Sequence, residues 1–298
     1  MCRLFGLHGG TRRVRGCFWL LEAPRSLASQ SRTQPDGYGI GTFEEDGSPD
    51  VDRGVIAAWQ DEAFAREARQ ERSTTYVVHL RYASSGPPAL RNSHPFEQDG
   101  RLFAHNGVFE DLPAIEAHLD GDRALVKGDT DSERLFALIT RETRRAGGDL
   151  ERGIRTAVRW VAEHLPLFSL NFVLATPDEL WALRYPDTNE LWVLERRAGG
   201  PLGTRHLDET SEAMTLRVRS DDLASCGSVV FATEPMDDDP GWRLLAPREL
   251  IRVSSDLRCA PMVLAERPAR QLTLEDLSAR AAASQLAERG PAAAAPTR

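Results

Sequence analysis

The sequence lacks the features by which membrane proteins and nucleic-acid-binding proteins are recognised. No apolar run in its 298 residues approaches the ~20 residues that span a bilayer. The opening residues have neither the long apolar core nor the small-residue cleavage site of a signal peptide. The formal net charge is -8, whereas non-specific binding to nucleic acid needs a basic surface. We therefore expect no membrane partner, no nucleic-acid partner and a cytoplasmic location.

Motifs for metals and dinucleotides are also missing. The four cysteines include no C-x-x-C pair, and no H-E-x-x-H segment is present. A metal site built from His79, His94 and His105 is an alternative, but no two of these have the i, i+4 spacing of ligands on one helix face. The glycine-rich run at 37–41 lacks the G-x-G-x-x-G spacing, and no G-x-S-x-G elbow occurs. We expect no metal and no cofactor.

The order of elements favours an α+β fold. Apolar runs bounded by glycine or turn residues predict strands at 4–8, 38–43, 55–59, 75–80, 101–105, 169–175, 179–185, 190–195, 214–218, 229–232 and 250–254. The Asn106-Gly107 pair predicts a turn after the strand at 101–105. Helices are predicted at 61–72, after the capping-box pattern at 130–133, and over a segment with Ile154, Val158 and Val161 on one face.

The predicted order is a group of strands, then two adjacent helices, then more strands. This order lacks the β-α alternation of a doubly wound parallel sheet. The prediction is two mostly antiparallel sheets with helices packed outside. We expect one domain over residues 1–265. Residues 266–298 read as a C-terminal tail that is partly helical or disordered, since it is polar and ends in a Pro- and Ala-rich run.

The position of Cys2 gives it a chemistry that the other cysteines lack. If Met1 is removed, Cys2 carries a thiol and a free α-amine on one Cα atom. The unperturbed pKa values of these groups are about 8.5 and about 7.7–8.0, so the amine can take the thiol proton and later return a proton to a leaving amine. Position alone, however, favours the simpler interpretation that Cys2 is a small residue that starts a strand.

Three further clusters have complementary chemistry. Asn106 offers an amide donor beside the unhindered backbone N–H of Gly107, as in an oxyanion hole, although Asn-Gly is also a common turn. Arg81 can hold a carboxylate in a bidentate pair, or can be an ordinary surface arginine. Asp131 lies in the first turn of a predicted helix, where the helix dipole favours a negatively charged side chain. It can instead pair with a substrate ammonium.

Taken together, these segments resemble the glutaminase domain of class II glutamine amidotransferases, in the family's order and over about the first 265 residues. The segments are Cys2, Pro35-Asp36-Gly37-Tyr38-Gly39, Arg81, Asn92-Ser93-His94-Pro95, His105-Asn106-Gly107 and Thr130-Asp131-Ser132-Glu133. The Met-Cys-Arg start and Thr233-Glu234-Pro235 resemble the stand-alone branch of that family.

The resemblance implies an N-terminal nucleophile hydrolase with an α-β-β-α sandwich, in which Cys2 attacks the γ-amide carbon. It further implies that Asn106 and Gly107 form the oxyanion hole. Arg81 and Asp131 would bind the substrate α-carboxylate and α-ammonium, with Tyr82 and His105 also at the substrate. Arg3, Tyr82 and Ser84-Ser85 depart from residues usual in the family, which bears on the lid over the substrate.

The resemblance leaves the leaving group open. No synthase domain is found after the glutaminase-like region, so we expect either a simple glutaminase or a subunit that passes ammonia to a partner enzyme. A γ-glutamyl conjugate, as cleaved by stand-alone relatives in ergothioneine biosynthesis, is the first alternative. A non-catalytic module that binds γ-glutamyl metabolites or a partner protein is the second.

Overall fold

The structure is a computed structural model, and it describes residues 2–82, 87, 89–200, 208–210, 217–219, 225–264 and 267–286. Several predictions lie outside these residues. They are the removal of Met1, the Ser84-Ser85 departure, the 214–216 part of one strand, and the last twelve residues of the tail.

The strands in the described residues run in chain order as follows. They are β1 (Arg3–His8), β2 (Tyr38–Phe43), β3 (Pro49–Gly54), β4 (Thr75–Leu80), β5 (Phe96–Gln98), β6 (Arg101–Phe109), β7 (Leu167–Ala175), β8 (Leu180–Leu183), β9 (Trp192–Arg196), β10 (Asp208–Thr210), β11 (Arg217–Arg219), β12 (Ser228–Ala232), β13 (Arg243–Leu244), β14 (Glu249–Val253) and β15 (Cys259–Val263).

The helices are α1 (Leu27–Gln30), α2 (Glu62–Gln70), α3 (Leu112–Leu119), α4 (Asp131–Arg145), α5 (Leu150–His164) and α6 (Ala279–Leu286). Shorter helical turns cover Phe18–Glu22, Ala58–Gln60, Leu90–Asn92 and Asp120–Leu125. Among the described residues, no helix is both long and apolar enough to cross a bilayer.

Two antiparallel sheets stack face to face. The first has the strand order β13-β9-β12-β1-β4-β2-β3, and the second has the order β15-β14-β8-β7-β6-β5. Buried side chains from both sheets form the central layer, including Leu4 and Val77 of the first sheet and Leu102 and Val173 of the second. The β10-β11 pair is separate from both sheets.

Helices cover the outer face of each sheet. Phe64 of α2 and Leu27 of α1 pack against Phe5 and Val78 of the first sheet. On the other side, α4 and α5 lie on the second sheet through the long apolar cluster that includes Phe136 and Val158. The layers are therefore helix, sheet, sheet, helix, and the predicted α+β sandwich of two mostly antiparallel sheets is confirmed.

The side chains of β1 point alternately to the two faces of the first sheet, and this alternation determines which way the Cys2 side chain faces. Phe5 and Leu7 belong to the cluster under α2, whereas Leu4 belongs to the layer between the sheets. A Cβ atom on Gly6 would lie 2.8 Å from Val173 Cγ1 of the second sheet, so this glycine allows the sheets to approach closely. Because side chains alternate with a period of two, position 2 faces the second sheet, as Leu4 and Gly6 do.

Two local predictions are wrong. The strand predicted at 55–59 is a loop followed by a turn, and Val55 and Ile56 are 44% and 45% exposed. The strand of this region is β3, whose Pro-Asp-Val-Asp-Arg-Gly sequence is polar because it lies at the edge of its sheet. The turn predicted at Asn106-Gly107 is also absent, since β6 continues to Phe109 and pairs with β7 through both residues.

The capping box at the start of α4 is half formed. Thr130 Oγ1 accepts a hydrogen bond from the Glu133 N–H at 3.2 Å, as predicted. The Glu133 carboxylate instead accepts from the N–H groups of Lys127 at 3.0 Å and Gly128 at 2.6 Å. Glu133 therefore fixes the loop that leads into α4, rather than the capping residue itself.

Candidate active site

One small pocket lies where β1, β4, β6 and the start of α4 meet. Its lining residues are Cys2, His79, Arg81, Tyr82, His94, His105, Asn106, Gly107, Thr130, Asp131, Ser132 and Gln285. All seven residues predicted for the site are among them, although they are up to about 130 positions apart in the chain. The pocket has a volume of about 20 Å3, which is space for about one water molecule.

Cys2 sits directly before β1, beside the end of β4. Its Sγ atom lies 3.2 Å from the Tyr82 N–H, from which it accepts, and 3.3 Å from the Tyr82 C=O, to which it donates. Burial raises the pKa of the thiol, while the Tyr82 N–H and the nearby Arg81 and Arg3 act in the opposite direction. A buried thiol with a raised pKa needs a local base before it can act as a nucleophile.

Asn106 and Gly107 reach the pocket from the middle of β6. The Asn106 Nδ2 atom donates to the Cys2 C=O at 2.9 Å, which uses one of its two N–H groups and leaves the other beside the nucleophile. A Cβ atom on Gly107 would lie 1.9 Å from the Ser169 carbonyl oxygen and 2.6 Å from His105 Nε2. The glycine therefore permits a close approach of strand and imidazole that no other residue allows.

Asp131 is buried at the N-terminus of α4. Its Oδ1 atom accepts from the Ser132 N–H at 2.9 Å, and its Oδ2 atom accepts from the Phe109 N–H at 3.4 Å. His105 joins this group through Nδ1, which lies 2.9 Å from Ser132 Oγ. These hydrogen bonds hold the N-terminus of α4, strand β6 and the Asp131 carboxylate together at one side of the pocket.

Arg81 follows β4 and is almost fully buried. Its N–H donates to the Gly37 C=O at 2.8 Å, and its C=O accepts from the Asp36 N–H at 3.1 Å, so the Pro35–Gly39 loop fixes its backbone. Its Nη1 atom donates to the Pro87 C=O at 3.2 Å. Burial lowers the pKa of the guanidinium, but an arginine stays charged in a protein, so the pocket contains a fixed positive charge.

Three buried histidines complete the inner wall. Burial lowers the pKa of His105, lowers that of His79 to about 3, and places that of His94 well below 6.5. The rings of His79 and His94 are 4.1 Å apart. Among the described residues, the Nε2 atoms of all three find no hydrogen-bonding partner. The wall is therefore lined by neutral imidazoles.

His79 and His94, which the sequence suggested only as parts of an alternative metal site, also line the pocket. The close approach of His94 depends on Gly39, where a Cβ atom would lie 1.9 Å from the His94 carbonyl oxygen. Asn92 links the same segment to the start of α4, accepting from the Asp129 N–H at 2.9 Å. The motif segments are thus joined to each other around the pocket.

A second set of contacts fixes the start of β1. Arg3 Nε donates to Gln30 Oε1 at 2.6 Å, and its Nη2 lies 3.7 Å from Glu234 Oε2. Thr233 Oγ1 accepts from the Leu4 N–H at 2.8 Å. The Thr233-Glu234-Pro235 segment therefore braces the residues that follow Cys2.

The geometry does not support the alternative of a metal site at His79, His94 and His105. In the part of the chain that the structure describes, no three His, Cys, Asp or Glu side chains are grouped so that they could hold a metal ion.

Comparison with known proteins identifies relatives over most of the chain. The gamma-glutamyl-hercynylcysteine sulfoxide hydrolase of Mycolicibacterium smegmatis is 29% identical over 268 residues, which is 85% of this chain and 96% of that enzyme. The enzyme of the same name from Mycobacterium tuberculosis (strain CDC 1551 / Oshkosh) is 31% identical over 267 residues, or 85% of this chain and 93% of that enzyme.

A solved structure shares the fold. The glutamine aminotransferase class-II domain protein from Silicibacter pomeroyi superposes with a TM-score of 0.56 at 20% identity, over 89% of this chain and 100% of that chain. The family model described as glutamine amidotransferases class-II matches residues 1–276. The chain therefore belongs to the class II glutamine amidotransferase family, which makes it an enzyme of the amidohydrolase class.

Proposed function

We propose that this enzyme hydrolyses the γ-amide of glutamine through a γ-glutamyl thioester on Cys2. The observation that carries the proposal is the convergence of a thiol, an amide donor, a fixed cation and a carboxylate in one pocket. These groups come from separate segments, namely the chain start, β6, the end of β4 and the start of α4.

The first step requires a free N-terminus. Removal of Met1 releases the α-amine of Cys2, whose unperturbed pKa of about 7.7–8.0 suits it as a base near neutral pH. Because burial raises the pKa of the thiol, the thiol is protonated before attack, and it transfers its proton to the amine as it attacks the amide carbon. The same proton passes to the departing nitrogen, so that ammonia leaves and the thioester forms.

Charge on the substrate oxygen develops next to Asn106. Its second N–H and the backbone N–H of Gly107 are the proposed donors to the oxyanion, and loss of one such donor typically costs ~10²–10³ in rate. Water then attacks the thioester, glutamate leaves, and the thiol and amine return to their starting state.

The charged residues of the pocket are proposed to bind the α-carboxylate and the α-ammonium of the substrate. Arg81 is the proposed partner of the α-carboxylate, and Asp131 is the proposed partner of the α-ammonium, with Tyr82 and His105 completing the substrate site. Both charged residues are buried, so ion pairs with the substrate are little screened by water or salt. Asp131 accepts from two backbone N–H groups and from the Ser132 hydroxyl, and these bonds hold its carboxylate at the pocket.

A second candidate reaction has its own support. The match to the two mycobacterial-type hydrolases extends over nearly their whole length, so a γ-glutamyl conjugate is a substrate to test beside glutamine. The chemistry at Cys2 would be the same, and the leaving amine would be larger. Transfer of ammonia to a partner enzyme is likewise a proposal that depends on glutamine being the substrate.

We also propose that the enzyme acts in the cytoplasm. All four cysteines are free thiols, which is the state maintained by a reducing compartment.

The test is the release of glutamate from glutamine and from a γ-glutamyl anilide, by the wild type and by Cys2→Ala. The wild type should hydrolyse at least one of them, and Cys2→Ala neither. The variant should still unfold cooperatively in a thermal melt, because Cys2 belongs to none of the three large apolar clusters. Equal turnover by both proteins would reject Cys2 as nucleophile. Binding without turnover by a correctly processed wild type would favour the non-catalytic module.

A further inference from the structure

The C-terminal helix contributes a side chain to the pocket. Gln285, in the last turn of α6, lines the same cavity as Cys2, Arg81 and Asp131. The match to the family model ends at residue 276, and α6 begins at Ala279, so the helix lies outside the matched residues. Nothing in the mechanism proposed above uses it.

A small set of contacts holds this segment against the second sheet. Leu272, Leu277 and Ala281 pack on Phe168 of β7 in a cluster separate from the three larger ones. Before the helix, Gln271 forms an isolated parallel bridge with Leu167. Gln285 Oε1 itself accepts from Asn189 Nδ2 at 3.2 Å.

The size of the pocket makes the position of Gln285 significant. About 20 Å3 is space for about one water molecule, and a glutamine substrate is many times larger. The space for a substrate at Cys2 must therefore come from the removal of Met1, from movement of the lining, or from both. His79 is paired on both sides, with Leu4 of β1 and Gly39 of β2. His105, Asn106 and Gly107 are paired with β7, so all four residues are poorly suited to moving.

Helix α6 is peripheral. Of its described side chains, Ala281 and Ala282 belong to the small cluster around Phe168, and none belongs to the three larger clusters. Such peripheral segments open at a lower free energy than central strands do.

We infer that α6 is a movable wall of the substrate pocket and that Gln285 is a specificity-determining residue that restricts the leaving group to a small amine. The inference rests on the proposed function. With α6 docked over a bound γ-glutamyl group, the Gln285 side chain occupies the space into which a bulky amine would extend. Ammonia needs little space, so glutamine is accepted and larger conjugates are disfavoured.

The experiment compares Gln285→Ala with a matched control, Gln271→Ala. Both remove a glutamine side chain from the same C-terminal segment, but Gln271 is exposed and does not line the pocket. A third protein ends after Asp276 and so lacks α6. Each is assayed for kcat/KM with glutamine and with a γ-glutamyl anilide.

Gln285→Ala and the truncated protein should both raise the anilide-to-glutamine ratio of kcat/KM by roughly tenfold or more, the scale on which one or two methylene groups discriminate in a pocket. Gln271→Ala should keep the wild-type ratio. An unchanged ratio in Gln285→Ala would overturn the specificity role. This variant alters one partly exposed side chain, so its result stands even if the truncated protein does not fold.

A second readout does not depend on turnover. The rate at which N-ethylmaleimide alkylates Cys2, mapped by mass spectrometry and divided by the rate with the smaller iodoacetamide, should rise roughly tenfold in Gln285→Ala and in the truncated protein. Equal rate ratios in all four proteins would overturn the movable wall. A raised alkylation ratio without hydrolysis of either substrate would support the wall and reject the proposed function, so the two failures are distinguishable.

Discussion

Replacing His79 with leucine is expected to flatten the dependence of stability on pH. His79 is 1% exposed on β4, and burial, with smaller contributions from Arg81 and His105, lowers its pKa to about 3 from 6.5. The imidazole is therefore neutral in the folded protein at pH 7 and remains neutral at pH 5. In the unfolded chain it has the ordinary pKa of about 6.5 and takes up a proton over the same range.

The sign and size of the effect follow from this difference. A histidine whose folded pKa is lowered contributes stability that is fully present above pH 6.5 and is lost as the pH falls towards 3. The loss is about 1.4 kcal/mol for each pH unit in that window. Between pH 7 and pH 5, His79 alone should thus reduce the free energy of unfolding by about 2 kcal/mol.

Urea unfolding of the wild type and His79→Leu at pH 7, 6 and 5 measures this contribution. The wild type should lose about 2 kcal/mol more than the variant between pH 7 and pH 5, whatever their difference at pH 7. Val77→Ala is the control, because it removes buried methyl groups from the same strand without removing a titrating group. If wild type and His79→Leu lose stability in parallel, the imidazole is not held neutral in the fold.

Three further substitutions test other parts of the site. Asn106→Ala should lower kcat by ~10²–10³ with little change in KM, because its free N–H is proposed to contact the transition state; steady-state kinetics would contradict this if KM rose while kcat held. Arg81→Lys should raise the KM for γ-glutamyl substrates by roughly tenfold, since lysine cannot make a bidentate pair with a carboxylate, and an unchanged KM would remove Arg81 from the substrate site. Gly107→Ala should lower the free energy of unfolding by about 1–3 kcal/mol or more, because its Cβ atom would collide with the Ser169 carbonyl oxygen of β7; an unchanged urea midpoint would mean that β6 and β7 do not pair at this point.

The layer architecture could be predicted because it is encoded locally. The helices α4 and α5 carry their apolar residues at helical spacing, and Ile154, Val158 and Val161 are all buried against the second sheet. Strands such as β2 and β4 have the predicted bounds, since both are apolar and are flanked by turn residues or glycine. Strand β3 could not be predicted from an apolar pattern, because it lies at the edge of its sheet and its sequence is polar.

The site was predicted as a set of motifs, but its geometry depends on contacts between distant segments. Asn-Gly predicts a turn from local propensity, yet β6 continues through both residues because it pairs with β7. The Ser169 backbone leaves no room for a side chain at position 107, which explains the glycine there. Gln285 carried no signal at all. It lies among small residues in a polar tail, and only the packing of Leu277 and Ala281 on Phe168 brings it to the pocket.

The most direct test of the central claim is an intact mass spectrum before and after exposure to a diazoketone analogue of glutamine. The untreated protein should lack Met1, and the treated protein should gain one adduct, mapped to Cys2, that excess glutamine prevents. A retained Met1 would deny the thiol its proposed base. An adduct on Cys17, Cys226 or Cys259, with Cys2 unmodified, would contradict the assignment of Cys2 as the nucleophile of this pocket.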